Sequence, residues 1–117
     1  MEQQAHTLPD AAEAQARIDE VQQLYAQWQQ LLPKLQAAQQ DWQQGCEIMQ
    51  QLAYFYFDGE FMVYRDALEQ GLALNLHTAG EYSIMSEDAL WNAFTEQQDL
   101  AWQRLRSALA VLDKGQE

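Results

Sequence analysis

Apolar side chains recur along the first half of the chain at alternating steps of three and four: Ala11, Ala14, Ile18, Val21, Tyr25, Trp28, Leu32 and Leu35. The same register continues through Gln39, Trp42, Cys46, Met49, Ala53 and Tyr56. Such steps keep side chains on one face of a helix, and a repeat sustained this long is the pattern of a coiled coil or helical bundle. Leu24 and Leu31 widen the stripe on one side. Ahead of it, Thr7 or Asp10 can serve as N-cap, and Pro9 is tolerated near a first helical turn.

Two residues interrupt the pattern. Pro33 lacks a backbone donor and clashes with the carbonyl four residues earlier, and Gly45 costs about 1 kcal/mol in a helix relative to alanine. Either could mark the turn of an αα-hairpin. The stretch LLPKL, however, has no Gly, Asn, Asp or Ser to build a turn, and the register does not slip across it. The favoured expectation is one amphipathic helix over residues 10–57, kinked near Pro33 and on the order of 70 Å long at 1.5 Å per residue. The hairpin is the alternative, since a long lone helix needs something to cover its stripe.

Asp58-Gly59 is a stop and turn signal, and FMVYRDALEQ predicts a short helix over 61–70 that ends at Gly71. Residues 71–85 predict a long loop whose Leu72, Leu74, Leu76, Ile84 and Met85 pack onto the helices. Within it, LALNLH alternates as a strand would, but has no second strand to pair with. A last helix is expected over 87–113, with Leu90, Phe94, Ala101, Leu105, Ala108 and Leu112 on one face. In SIMSEDALWNAF, Ser86 is its expected N-cap, with Glu87 and Asp88 in the first turn, where the helix dipole favours negative charge. Lys114 and Gly115 supply its C-terminal signals. The fold class expected is all-α: a helical bundle forming a single domain over 1–117, with residues 1–6 as a frayed tail, completed by dimerisation.

Composition agrees with this pattern. The chain has 117 residues, enough for one domain with a modest core, and only five glycines and two prolines. β-Branched residues are few, while Ala, Leu, Gln and Glu, which favour helix, are common. The formal net charge is −12. That sign opposes binding to nucleic-acid phosphates and to an anionic membrane surface, and favours encounters with basic partners. The single Cys46 has no internal disulfide partner, the N-terminus reads as no signal peptide, and no apolar run reaches the length of a membrane span. The expected location is the cytoplasm.

Candidate chemistry is sparse. A nucleophilic serine needs a base, usually histidine, and His6 and His77 are the only histidines. No G-x-S-x-G elbow, Ca²⁺ loop, H-E-x-x-H or cysteine pair is present, so no catalytic, metal-binding or cofactor-binding residue is assigned and no cofactor is expected. The acids around Asp58–Glu69 read as a solvated surface, His77 as a loop residue, and Cys46 as a small core residue. Arg65, Arg104 and Arg106 read as partners for the surplus of carboxylates. The notable feature is YFYFDGEFMVY, with six aromatics over residues 54–64. It fits either a packed corner between helices or an aromatic binding patch.

Tyr54, Tyr56, Glu60, Phe61, Asp66, Glu69, Gly71 and Gly80, followed by IMSEDALWNAF, make the segment from Tyr54 to Phe94 resemble a small bacterial family catalogued as domain of unknown function 4298. Phe61 stands where that pattern usually has Trp, and the connector between Gly71 and Ser86 is longer. The resemblance implies a small all-helical protein and carries over no activity.

Two functions are expected from different classes. The first is a non-enzymatic protein that works through protein–protein interaction, as a homodimer or with another protein, through Tyr25, Trp28, Leu32, Tyr54, Tyr56, Phe61, Tyr64 and Trp91. The second is an acidic inhibitor or immunity-like protein that caps a basic surface, such as that of a nuclease. An enzyme or metal carrier would need a clustered acid pair or a histidine–carboxylate site, and no spacing in the chain demands one.

Overall fold

A computed structural model describes residues 8–114 as three α-helices: α1 (Ala11–Phe57), α2 (Glu60–Glu69) and α3 (Ala89–Lys114). The class is all-α, as the residue composition and the period of the apolar positions predict. The expected tail at 1–6, the alternative cap Thr7, His6 and the stop signal Gly115 lie outside the described residues.

α1 is one uninterrupted helix, so the hairpin alternative is overturned. Pro33 stands inside it, and a Cβ added at Gly45 would meet nothing within 4 Å. One lost backbone donor and one glycine are small penalties against the many hydrogen bonds of a helix this long. The chain divides into two compact units, the first ending at Gln43 and the second beginning at Gln44, so the last turns of α1 belong to the second.

In the first unit the described structure is helical from Ala11 onward. Asp10 is its N-cap: its Oδ2 accepts from the Glu13 N–H at 3.1 Å, and its carbonyl accepts from the Ala14 N–H at 2.9 Å. Along the surface Gln15 donates to Asp19 at 3.0 Å, and Arg17 pairs with Glu20. These are contacts within one helix, each stabilising it by a few tenths of a kcal/mol. No described residue of this unit is buried.

In the second unit, α1 ends where Asp58-Gly59 predicts. The Asp58 N–H donates to Tyr54 at 3.0 Å, and Gly59 adopts φ +100° while its carbonyl accepts the first bond of α2 from the Val63 N–H at 3.1 Å. α2 closes with a reciprocal pair of backbone bonds. The Leu72 N–H donates to Ala67 at 3.0 Å and the Gly71 N–H to Leu68 at 3.1 Å, with Gly71 at φ +100°. That left-handed turn is why glycine ends this helix.

Two expectations for the segment after α2 are corrected. Residues 71–82 are all exposed, and Leu72, Leu74 and Leu76 do not pack away as expected. Alternation would give them a common face only in a paired strand, and no strand forms over 72–77, where the chain is held mainly by local bonds. The His77 N–H donates to Asn75 Oδ1 at 2.9 Å, and Thr78 and Glu81 form an isolated antiparallel bridge. The second correction concerns Ser86, which is not the N-cap of α3. The chain first makes a turn in which the Met85 N–H donates to Ser83 Oγ at 3.1 Å and the Ser86 N–H to the Ser83 carbonyl at 3.0 Å. The helix therefore starts two residues later, with the Asn92 N–H donating to the Asp88 carbonyl at 2.8 Å. Asp88 flanks the first turn, and neither acid lies in it.

The core of this unit is small. Phe61 on α2 and Leu90 on α3 are 3% and 4% exposed. Burying side chains of this size stabilises by about 1.5–3 kcal/mol each. Around them the rings of the 54–64 segment interlock. Tyr56 lies 4.9 Å from Phe61 and 5.6 Å from Phe94, and Phe57 stacks on Phe94 at 5.5 Å.

Candidate interaction surface

The second unit carries an aromatic corner. Phe55 meets Phe61 edge-on at 6.1 Å and stacks against Tyr64 at 6.2 Å, and the Tyr64 hydroxyl donates to Glu60 at 3.2 Å. These contacts decide between the two readings of the 54–64 segment residue by residue. Phe61 is buried, so its place among the interaction residues is corrected: it is a core residue. Tyr56 is half-buried, wedged between Phe61 and Phe94. Tyr54, Tyr64 and Trp91 are exposed. Tyr54 follows the stripe residue Ala53 by one position, which turns its ring away from the face that packs.

Beside this corner is a hollow of about 440 Å³ lined by Cys46, Met49, Ala53, Phe57, Trp91 and Phe94, with Gln50 and Gln97 at its edge. Across it Gln97 Nε2 donates to Cys46 Sγ at 3.6 Å. Of its lining, only Trp91 is an interaction residue expected from the sequence. The signal for the rest was present: Cys46, Met49 and Ala53 are successive stripe positions, and α3 meets the stripe with Phe94 and Gln97. Elsewhere Arg65 pairs with Glu69 at 3.8 Å, and the Arg106 guanidinium lies 5.8 Å above the Trp102 ring.

The first unit presents the same stripe differently. Ile18, Val21, Leu24, Tyr25, Trp28, Leu31 and Leu35 are 45–60% exposed, and Leu32 is half-buried. Ile18, Val21, Gln22 and Tyr25, with Arg17 at the rim, line a shallow hollow on this face. These residues stand at i, i+3, i+4 and i+7, the four-cornered hole that receives a knob in coiled-coil packing. Between Val21 and Gln40 the only charged side chain is Lys34, in a chain of net charge −12. The acids lie elsewhere.

Among the described residues, no three of His, Cys, Asp and Glu gather closely enough to hold a metal ion, and no helix is long and apolar enough to cross a membrane.

A family model described as "Domain of unknown function (DUF4298)" matches residues 18–107. The chain belongs to this family. Comparison with curated proteins and with solved structures returned no match. The DUF4298 match begins at Ile18 on the exposed stripe and reaches Ser107 on α3, so it takes in both the stripe and the aromatic corner.

Proposed function

We propose that this DUF4298 protein is a non-enzymatic interaction protein that associates with a second copy of itself through the Ile18–Leu35 face of α1. The observation that carries this reading is an apolar stripe in unbroken heptad register, exposed over seven large side chains. A soluble chain rarely leaves a contiguous apolar surface of this kind uncovered. The near absence of charge between Val21 and Gln40 removes the repulsion that a net charge of −12 would otherwise set against self-association.

The test is sedimentation velocity of the full chain at micromolar concentration, beside Trp28→Glu. The expected result is a dimer for the parent and a monomer for the variant, with amide hydrogen exchange in α2 and α3 unchanged. A parent that sediments as a monomer throughout that range refutes the reading.

The charge supports a second reading, an acidic protein that caps a basic partner. In the second unit Glu47, Asp58, Glu60, Asp66, Glu69 and further acids outnumber Arg65, Arg104, Arg106 and Lys114. Salt separates the two. Binding carried by these acids weakens steeply between low and high ionic strength, whereas a stripe with one lysine self-associates almost independently of salt.

A further inference from the structure

Resting on the self-association reading, we infer that the two copies pair antiparallel, with the two-fold axis crossing between Tyr25 and Trp28. Four features of the first unit converge on this arrangement.

The stripe has two unlike flanks. On one side lie Arg17, Leu24, Leu31 and Ala38; on the other, at heptad intervals, lie Gln15, Gln22, Gln29, Gln36 and Gln43. In a parallel pair each flank faces the opposite flank of the other helix, which sets Leu24 and Leu31 against glutamines. In an antiparallel pair like faces like. Leu24 then lies against Leu31 of the second copy on one side, and Gln22 against Gln29 on the other, where each amide can both donate and accept. Leu24 and Leu31 are 55% and 50% exposed, so this pairing removes apolar surface from water that the parallel one leaves against polar groups.

The layers of the seam also become even. An axis between Tyr25 and Trp28 sets Tyr25 against Trp28, Val21 against Leu32, and Ile18 against Leu35. The parallel alternative stacks Trp28 on itself and Val21 on itself, one layer too thick and another too thin for close packing. The hollow lined by Ile18, Val21, Gln22 and Tyr25 is then the hole that receives Leu32 of the second copy.

Charge points the same way. Asp10, Glu13, Asp19 and Glu20, offset only by Arg17, crowd the start of α1, and Lys34 lies toward the other end of the stripe. A parallel pair superposes these acids on their own copies. The antiparallel pair separates them and sets Asp19 and Glu20 level with Lys34 of the second copy. Asp41 comes level with Ala12, and the two symmetry-related Asp19–Lys34 alignments favour this orientation over the one that superposes every acid on itself. The result is an isologous interface, the usual form of a homodimer.

Electron–electron dipolar spectroscopy on the full chain tests it. Spin labels are placed at Ala16→Cys and, separately, at Gln23→Cys, each with Cys46→Ser; both positions are exposed and face away from the stripe. In the antiparallel pair, residue 16 lies level with residue 37 of the second copy, an offset of about 32 Å along the axis, and residue 23 with residue 30, an offset of about 10 Å. The expected inter-label distance is therefore longer at position 16 than at position 23 by more than ~10 Å on the same rise per residue. Equal distances at the two positions overturn the antiparallel arrangement while leaving self-association standing. Absence of any dipolar signal from either labelled chain overturns both.

Discussion

Replacing Phe61 with alanine separates core from surface in the aromatic segment. Phe61 is 3% exposed, 4.9 Å from Tyr56 and 6.1 Å from Phe55 between ring centres. Removing a buried phenylalanine side chain costs about 3–5 kcal/mol, through lost transfer free energy and the void left behind. Two ring partners place the value in the upper half of that range, since such pairs stabilise by about 0.5–1.5 kcal/mol beyond their buried area. In a unit of this size each kcal/mol moves the melting temperature by about 4–8 °C, so the expected fall is about 15 °C or more. Tyr54→Ala is the matched control: the ring is 67% exposed, and surface substitutions change stability by no more than about 0.5 kcal/mol. Urea titrations followed by circular dichroism give both values, with Phe61→Leu as a milder variant that keeps most of the apolar volume. A loss at Phe61→Ala no larger than that at Tyr54→Ala would refute the assignment of Phe61 to the core, and with it the placement of α2 against the ends of α1 and α3.

Two further outcomes follow from the backbone. Gly45→Ala and Gly71→Ala have opposite signs although an added Cβ meets nothing within 4 Å at either position. Gly45 lies inside a helix, where alanine adds about 1 kcal/mol of stability, whereas Gly71 sits at φ +100°, where a side chain costs about 1–2 kcal/mol. Denaturant midpoints that shift in the same direction for both would contradict this account. Asp10→Ala removes the side-chain acceptor of the Glu13 N–H and weakens the start of α1 by about 1 kcal/mol. Hydrogen exchange at Glu13 and Ala14 is expected to accelerate about fivefold at that free energy, while Asp10→Ser keeps the parent rate.

Helix ends are legible in the sequence where a single residue type decides the backbone. Asp58-Gly59 and Gly71 end helices where expected, because a left-handed turn admits glycine with little competition. The length of α1 was legible because an unbroken register outweighs one proline. The start of α3 was less so. Ser86 and Asp88 are both good caps, and the choice between them was made by Ser83, whose side chain and carbonyl hold the preceding turn. The aromatic segment exposed the limit of composition: six rings in eleven residues look alike in one dimension. Only the helix angle at each position, together with α3 arriving through Phe94, separates buried Phe61 from exposed Tyr54. The loop leucines misled for another reason: alternation gives them a common face only in a paired strand, and no strand forms over 72–77.

α1 is one helix by its hydrogen bonds, yet its two parts rest on different supports. From Gln44 to Phe57 it is anchored by side chains that touch Phe61 and Phe94, so unwinding it there disrupts the core. From Ala11 to Gln43 no described residue is buried, and this part rests largely on local hydrogen bonds and helix propensity. The proposed pairing with a second copy would supply the missing support. Under that proposal the folded length of this helix becomes a property of concentration: dilution would melt it back from the N-terminus, and each copy that arrives would wind it up again.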